Sequence, residues 1–172
     1  MASEESIYFA YGSNLHPLRL QVRVPSARLL GVSVLPGHRM VFGKRGMDGS
    51  GKCTILPGVK AKDSVPGALF ALRRDEINFL DAAEGPAYAR KSAAFALNGS
   101  VLNGFYYEAR EFALDQGLRP FDWYRDLVVA GARFHSLPEH YVLALASVAT
   151  QQDENEERVA RIMSLLARIS GT

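Results

Sequence analysis

Ile7-Tyr8-Phe9-Ala10-Tyr11-Gly12-Ser13-Asn14-Leu15 is an apolar run that ends in a polar turn. Residues 7–11 are β-branched and aromatic, the types that fit a packed, pleated strand. Gly12 stops the strand, and Ser13 and Asn14 follow with exposed backbone N–H groups that can cradle an anion or an oxyanion. The plainer reading of the same residues is a strand that ends in an Asn-containing turn.

The pattern of short strands continues outward from this stretch. Residues 27–34 and 38–42 flank Leu35-Pro36-Gly37, a turn signal. Residues 43–52 hold four glycines and read as a loop. Residues 53–56 and 67–72 are short apolar runs bounded by Pro57-Gly58 and Pro66-Gly67. Residues 88–97 and 101–108 flank Asn98-Gly99, a hairpin signal because both residues tolerate positive φ. Helices follow for the most part. Asp75 is placed to cap a short helix over 76–83, with Ile77 and Leu80 on one face. A helix over 122–130 groups Trp123, Leu127 and Ala130, and Pro138 opens another that runs to Val148. In the last helix, acids at 153–157 precede Arg158, Arg161 and Arg168, as the macrodipole favours, and Val159, Ile162, Met163, Leu166 and Ile169 recur at helical spacing. Strands first and helices mostly last predict an α+β fold. No linker or internal repeat divides the chain, so residues 1–172 are expected to form a single domain.

Composition narrows the function. Twenty basic residues against eighteen acidic ones leave a net charge of +2, with no Lys/Arg cluster, which argues against a nucleic-acid partner. The single cysteine, Cys53, excludes an internal disulfide and a multi-cysteine metal site, and fits a reducing compartment. The start, MASEESIYFAYGS, has acids where a signal peptide needs Lys or Arg. No apolar run approaches the ~20 residues of a membrane span. A cytoplasmic protein is therefore expected.

Several motifs resemble sites and fail on chemistry. Gly46-Met47-Asp48-Gly49-Ser50-Gly51-Lys52-Cys53 matches a phosphate-binding loop except at its last position. There the chemistry needs a hydroxyl for Mg²⁺ and a helix to follow, but Thr54-Ile55-Leu56-Pro57-Gly58 follows instead. His135 and His140 are five residues apart with Pro138 between them, poor geometry for a metal. No G-x-S-x-G elbow is present. One further stretch stands out: Leu80-Asp81-Ala82-Ala83-Glu84-Gly85. It puts the Glu84 carboxylate at a helix C-terminus, against the dipole, which invites a reason beyond solvation.

The octapeptide 8–15, followed some seventy residues later by Leu80 to Gly85, resembles the γ-glutamylcyclotransferase family, the AIG2-like and BtrG-like group. Tyr124-Arg125-Asp126-Leu127-Val128-Val129-Ala130-Gly131-Ala132, with Leu137-Pro138-Glu139-His140-Tyr141 after it, looks like the family's C-terminal segment. The likeness spans about residues 7–150 and leaves out the last helix. It implies a small mixed β-barrel flanked by helices. It implies an enzyme that cyclises a γ-glutamyl group to 5-oxoproline and releases an amine or amino acid. Glu84 is then the catalytic acid/base. Tyr8, Phe9, Ala10, Tyr11, Gly12, Ser13 and Asn14 receive the γ-glutamyl group, and Tyr124 lines the site.

That reaction suits these residue types. The substrate's α-amine, with a pKa near ~8, must lose a proton before it attacks its own γ-carbonyl, and the departing amine must gain one. One carboxylate within reach of both nitrogens does both, so no cofactor and no metal is called for. The implied partner is a small γ-glutamyl molecule, and the protein a monomer or homodimer without nucleic-acid or membrane partners. Glu84 is expected in a water-shielded cleft with Tyr8, Gly12, Ser13 and Tyr124, its pKa raised. Only Pro86 and Ala87 separate Gly85 from Tyr88, where the human-type cyclotransferases carry a longer stretch. The contrasting reading is a non-catalytic module of the same fold that binds a γ-glutamyl-like ligand.

Overall fold

The computed structural model describes residues 4–171. Met1, Ala2, Ser3 and Thr172, which the single-domain and leader readings include, lie outside the described residues. Strand β1 (Glu5–Ala10) is the middle of a five-stranded sheet of order β2-β5-β1-β7-β6, where β2 is Arg28–Pro36, β5 Ser64–Arg73, β6 Tyr88–Leu97 and β7 Ser100–Ala109. β1 runs antiparallel to β5, from Glu5 opposite Arg73 to Ala10 opposite Ala68, and parallel to β7, with Tyr8 opposite Phe105. β3 (His38–Arg45) and β4 (Gly51–Pro57) form a separate antiparallel pair. Strands buried on both faces read as continuous apolar runs. That is why the centre is occupied by Tyr8-Phe9-Ala10 and by the Val65 to Leu72 segment of β5.

The sheet curls until its edges touch. Ser33 Oγ on β2 donates to Ala96 O on β6 at 2.7 Å, although the ladder itself stays open there. The mixed barrel is thus a half-barrel with helices against it: α1 (Pro17–Arg23), α2 (Ile77–Glu84), α3 (Asp122–Phe134), α4 (Glu139–Ala146) and α5 (Glu156–Ser170). The α+β class and the barrel-and-helix architecture stand as expected.

The local differences have physical causes. The loop expected at 43–52 shrinks to 46–50, because both flanks pair as β3 and β4 despite their glycines. Of the turn expected at 35–37 only Gly37, at φ 73°, turns the chain; Leu35 and Pro36 continue β2, which pairs with β5, while β3 pairs with β4. Asn98 (φ 49°) and Gly99 (φ 79°) close the β6–β7 hairpin as their turn chemistry requires. Asp75 caps nothing: its carboxylate is held by Arg73 at 2.7 and 3.0 Å, and α2 starts two residues later without a side-chain cap. α3 runs on to Phe134, and α4 ends at Ala146. In α5 the buried positions are Ile162, Leu165 and Ile169, while Met163 faces outward. Helix α1 has no counterpart in the sequence reading; the His16 ring accepts from Leu18 N–H at its start, and Pro17 sits in its first turn.

Candidate active site

The turn after β1 and the end of α2 meet beside a cleft. Leu15 N–H donates to Gly12 O (3.1 Å) and closes the turn, and among the described residues no backbone acceptor takes the N–H of Gly12, Ser13 or Asn14. A Cβ on Gly12 would sit 2.9 Å from Cys53 Cβ, so only glycine lets β4 approach this close. Gly131 plays the same part behind the turn, where a Cβ would come within 2.4 Å of Leu15 Cβ; α3 thereby presses on the turn and fixes it.

Glu84 is the last residue of α2, and Gly85 after it takes φ 80° to turn the chain away. Asn14 is 3% exposed and satisfied on both sides. Its amide nitrogen donates to Glu84 Oε1 at 2.8 Å and lies 3.1 Å from the Tyr8 hydroxyl, while its Oδ1 accepts from Arg23 Nη1 at 3.0 Å. Arg23 Nη1 also stands 3.3 Å from Glu84 Oε1. Among the described residues every hydrogen bond and ion pair to this carboxylate goes to Oε1, and Oε2 takes none. The Glu84 side chain is 15% exposed. Burial pushes its carboxyl above the ordinary value, against the opposing pull of Arg23, Asn14, Lys44 and Arg19.

Two connected spaces share Ser13, Glu84, Tyr88 and Tyr124 in their walls. The inner recess, about 20 Å³, is walled by Tyr8, Tyr11, Gly12, Asn14, Cys53 and Tyr107 as well, and has room for about one water-sized group. The outer cleft is about 480 Å³ and opens over Lys44, Met47, Lys52 and Phe112. The recess is stiffened by its own hydroxyls. Tyr11 OH donates to Tyr107 O (2.5 Å), Tyr88 OH to Cys53 O (2.5 Å), and Tyr124 OH accepts from Cys53 N–H (3.1 Å). Burial raises the tyrosines and pushes the Cys53 thiol up to about 12, so these groups stay neutral donors and acceptors at ordinary pH.

Of the residues singled out from sequence, Tyr8, Tyr11, Gly12, Ser13, Asn14, Glu84 and Tyr124 come together here. Phe9 and Ala10 do not. Strand alternation turns Phe9 to the other face, where it stacks on Phe95 at 4.7 Å, and Ala10 is fully buried in the sheet. Sequence reasoning missed Arg23, Arg19 and Lys44. The signal for the first two was the His16-Pro17 helix start; Lys44 lay in a stretch whose glycines masked a strand. In the phosphate-loop look-alike, Lys52 bonds Asp48 and Ser50 within its own hairpin, both at 2.8 Å. His135 is taken up by Leu15 O at 2.6 Å.

Known proteins with this pattern were found by sequence and by shape. The profile of the family described as "Gamma-glutamyl cyclotransferase, AIG2-like" matches residues 8–126. A mouse γ-glutamylcyclotransferase is 26% identical over 95% of this chain and 93% of its own. A bovine γ-glutamylcyclotransferase is 29% identical over 84% of this chain and 79% of its own. A solved structure named γ-glutamyl cyclotransferase superposes with a TM-score of 0.82 over 96% of this chain and 99% of that one, at 24% identity, a likeness of fold.

Proposed function

The chain belongs to the AIG2-like γ-glutamyl cyclotransferase family, and from that premise we propose that it cyclises the γ-glutamyl group of a small molecule to 5-oxoproline and releases the amine. The observation that carries this is the Glu84 carboxylate at the junction of recess and cleft, held by the described residues through Oε1 and not Oε2, with its pKa raised by burial.

The γ-glutamyl group folds back at this junction. Its γ-carbonyl oxygen points into the recess toward the N–H groups of the Gly12 turn, which no backbone carbonyl of the described residues takes and which stabilise the oxyanion as it forms. Glu84 accepts a proton from the α-ammonium. The freed amine attacks the γ-carbon, an intramolecular step whose barrier falls mainly through orientation. The γ-carbon–nitrogen bond then breaks while Glu84 returns the proton to the departing nitrogen, the ring nitrogen passes its own surplus proton to the same nitrogen, and 5-oxoproline and the amine in its ammonium form result. A raised pKa suits both halves, because a carboxylate closer in basicity to the amine accepts its proton with less penalty. Arg23 and Asn14 keep the carboxylate aimed and partly ionised. A cytoplasmic location and a monomeric or homodimeric state accompany this reading.

The test is product identity. With γ-glutamyl amides as substrates, 5-oxoproline should accumulate with the amine, and Nα-acetylated amides should bind without turnover. Glutamate as the first product would make the protein an amidase, and binding without product would make it a binding module.

A further inference from the structure

The turn that carries the N–H donors is gripped from behind by the end of α3. Leu15, fully buried, is the residue gripped. Gly131 makes room for its Cβ, and His135 Nε2 meets its carbonyl oxygen at 2.6 Å. A carbonyl oxygen only accepts, so the neutral His135 ring carries its proton on Nε2 and donates it. The next residue, His16, is 2% exposed and is tied to the same helix end: its ring centre lies 4.4 Å from that of Phe134. His16 Nδ1 accepts from Leu18 N–H at 3.2 Å and opens α1, the helix that brings Arg23 to Glu84. Its Nε2 is buried without a hydrogen-bond partner. Asn, Asp or Ser would cap the helix without burying a ring nitrogen, so the cap alone does not account for a histidine here; the contact with Phe134 does. Burial lowers the pKa of both rings, that of His16 further through His135, and both are neutral at ordinary pH.

This grip matters because the turn has little to hold it from within. It closes on itself through one backbone bond, Leu15 N–H on Gly12 O. Donors stabilise an oxyanion only when they stand about 2.7–3.1 Å from where it forms, so a turn that shifts by a few tenths of an ångström loses the effect. Asn14 fixes the front of the turn through Glu84 and Arg23, and His135 fixes the back. We propose that His135 is a positioning residue for the cyclisation: its ring N–H, by holding Leu15 O, orients the Gly12 turn so that the N–H donors face the γ-carbonyl oxygen. The inference deepens the cyclisation reading and rests on it. His135 lines neither the recess nor the cleft, so it acts through the turn and not on the substrate. The oxyanion develops only on the way to the transition state, so losing the hold lowers kcat and leaves KM nearly unchanged.

Two variants separate the hydrogen bond from the space the ring fills. His135→Phe keeps an aromatic ring beside Phe70 and Phe134 and removes the donor. His135→Gln keeps an amide N–H of similar reach. With a γ-glutamyl amide as substrate, His135→Phe should lower kcat by about tenfold, the effect of roughly one hydrogen bond, with KM within about twofold of wild type. His135→Gln should restore most of kcat. His135→Leu replaces the Phe variant should that one not fold. A folded variant without the donor that keeps wild-type kcat, a loss that falls on KM, or a Gln variant as slow as the Phe variant overturns the inference and leaves the ring a packing role. If wild type forms no 5-oxoproline from γ-glutamyl amides, the cyclisation reading fails by itself. The hold on the turn is then read by amide hydrogen exchange at Leu15 N–H. Exchange about tenfold faster in the variant without the donor, and not in the Gln variant, supports it; any other pattern overturns it.

Discussion

In the proposed reaction Glu84 carries chemistry as well as stability in one side chain, and the two pull in opposite directions. Glu84→Gln keeps the shape and the Asn14 neighbour but cannot accept the ammonium proton. We expect it to fold and to lose roughly two to four orders of magnitude in kcat, measured as 5-oxoproline formed. Near-normal turnover would remove Glu84 from the mechanism. The stability effect has the other sign. The folded-state pKa is raised, so below the ordinary 4.5 the carboxyl is protonated in both folded and unfolded chains. As the pH climbs through the raised folded value, wild type must ionise a buried group and loses stability that Gln keeps. Urea denaturation should therefore show the Gln variant gaining on wild type from pH 4.5 upward. A gap independent of pH would mean that the folded and unfolded pKa values coincide. The same raised value should appear as the acid limb of kcat/KM, displaced above 4.5.

Among the elements, the start of α5 is tied to α3 by one carboxylate, in addition to the apolar face that packs. Asp153, whose side chain is 1% exposed, accepts from Trp123 Nε1 on α3 at 2.9 Å and from Arg158 Nε and Nη2 at 2.5 Å. The Arg158 pair and the Trp123 bond hold its pKa well below the usual carboxylate range. Asp153→Ala leaves the indole N–H and the guanidinium without this partner and should cost about 1–3 kcal/mol in a denaturant melt. A depressed pKa contributes stability above the unfolded value, so the gap between wild type and variant should close as the pH falls below 3.8. A gap that persists there would show that the cost is packing rather than charge. Because Asp153 lines neither the recess nor the cleft, folded Asp153→Ala should retain most of its turnover.

At the scale of the whole molecule, the family match ends at residue 126 but the core does not. Val142 and Leu145 of α4 and Ile162, Leu165 and Ile169 of α5 belong to the same buried cluster as Phe9 and Leu127. If the chain is one folding unit, a truncation after residue 150 exposes that face of α3. It should be insoluble or melt far lower, by several kcal/mol, since each lost buried Leu or Ile is worth about 1.5–3 kcal/mol. A soluble truncation with native stability would make α5 an appendage.

Local chemistry was legible in the chain. Asn98-Gly99 determined a hairpin because few residues accept positive φ, and the apolar spacing of 159–169 determined a helix because one face must be buried. The octapeptide with Glu84 was legible too, and most of the residues it singled out converge. Tertiary structure decided the rest. β1 lies between strands about sixty and a hundred residues away in sequence, one antiparallel and one parallel, and β2 leaves β3 for β5. Such pairings are chosen by how whole faces pack, and no window of neighbouring residues contains that information. Arg23 and Lys44 reach the cleft for the same reason: a short helix of seven residues and a glycine-rich strand have weak local signals, and only the curled sheet brings them to Glu84.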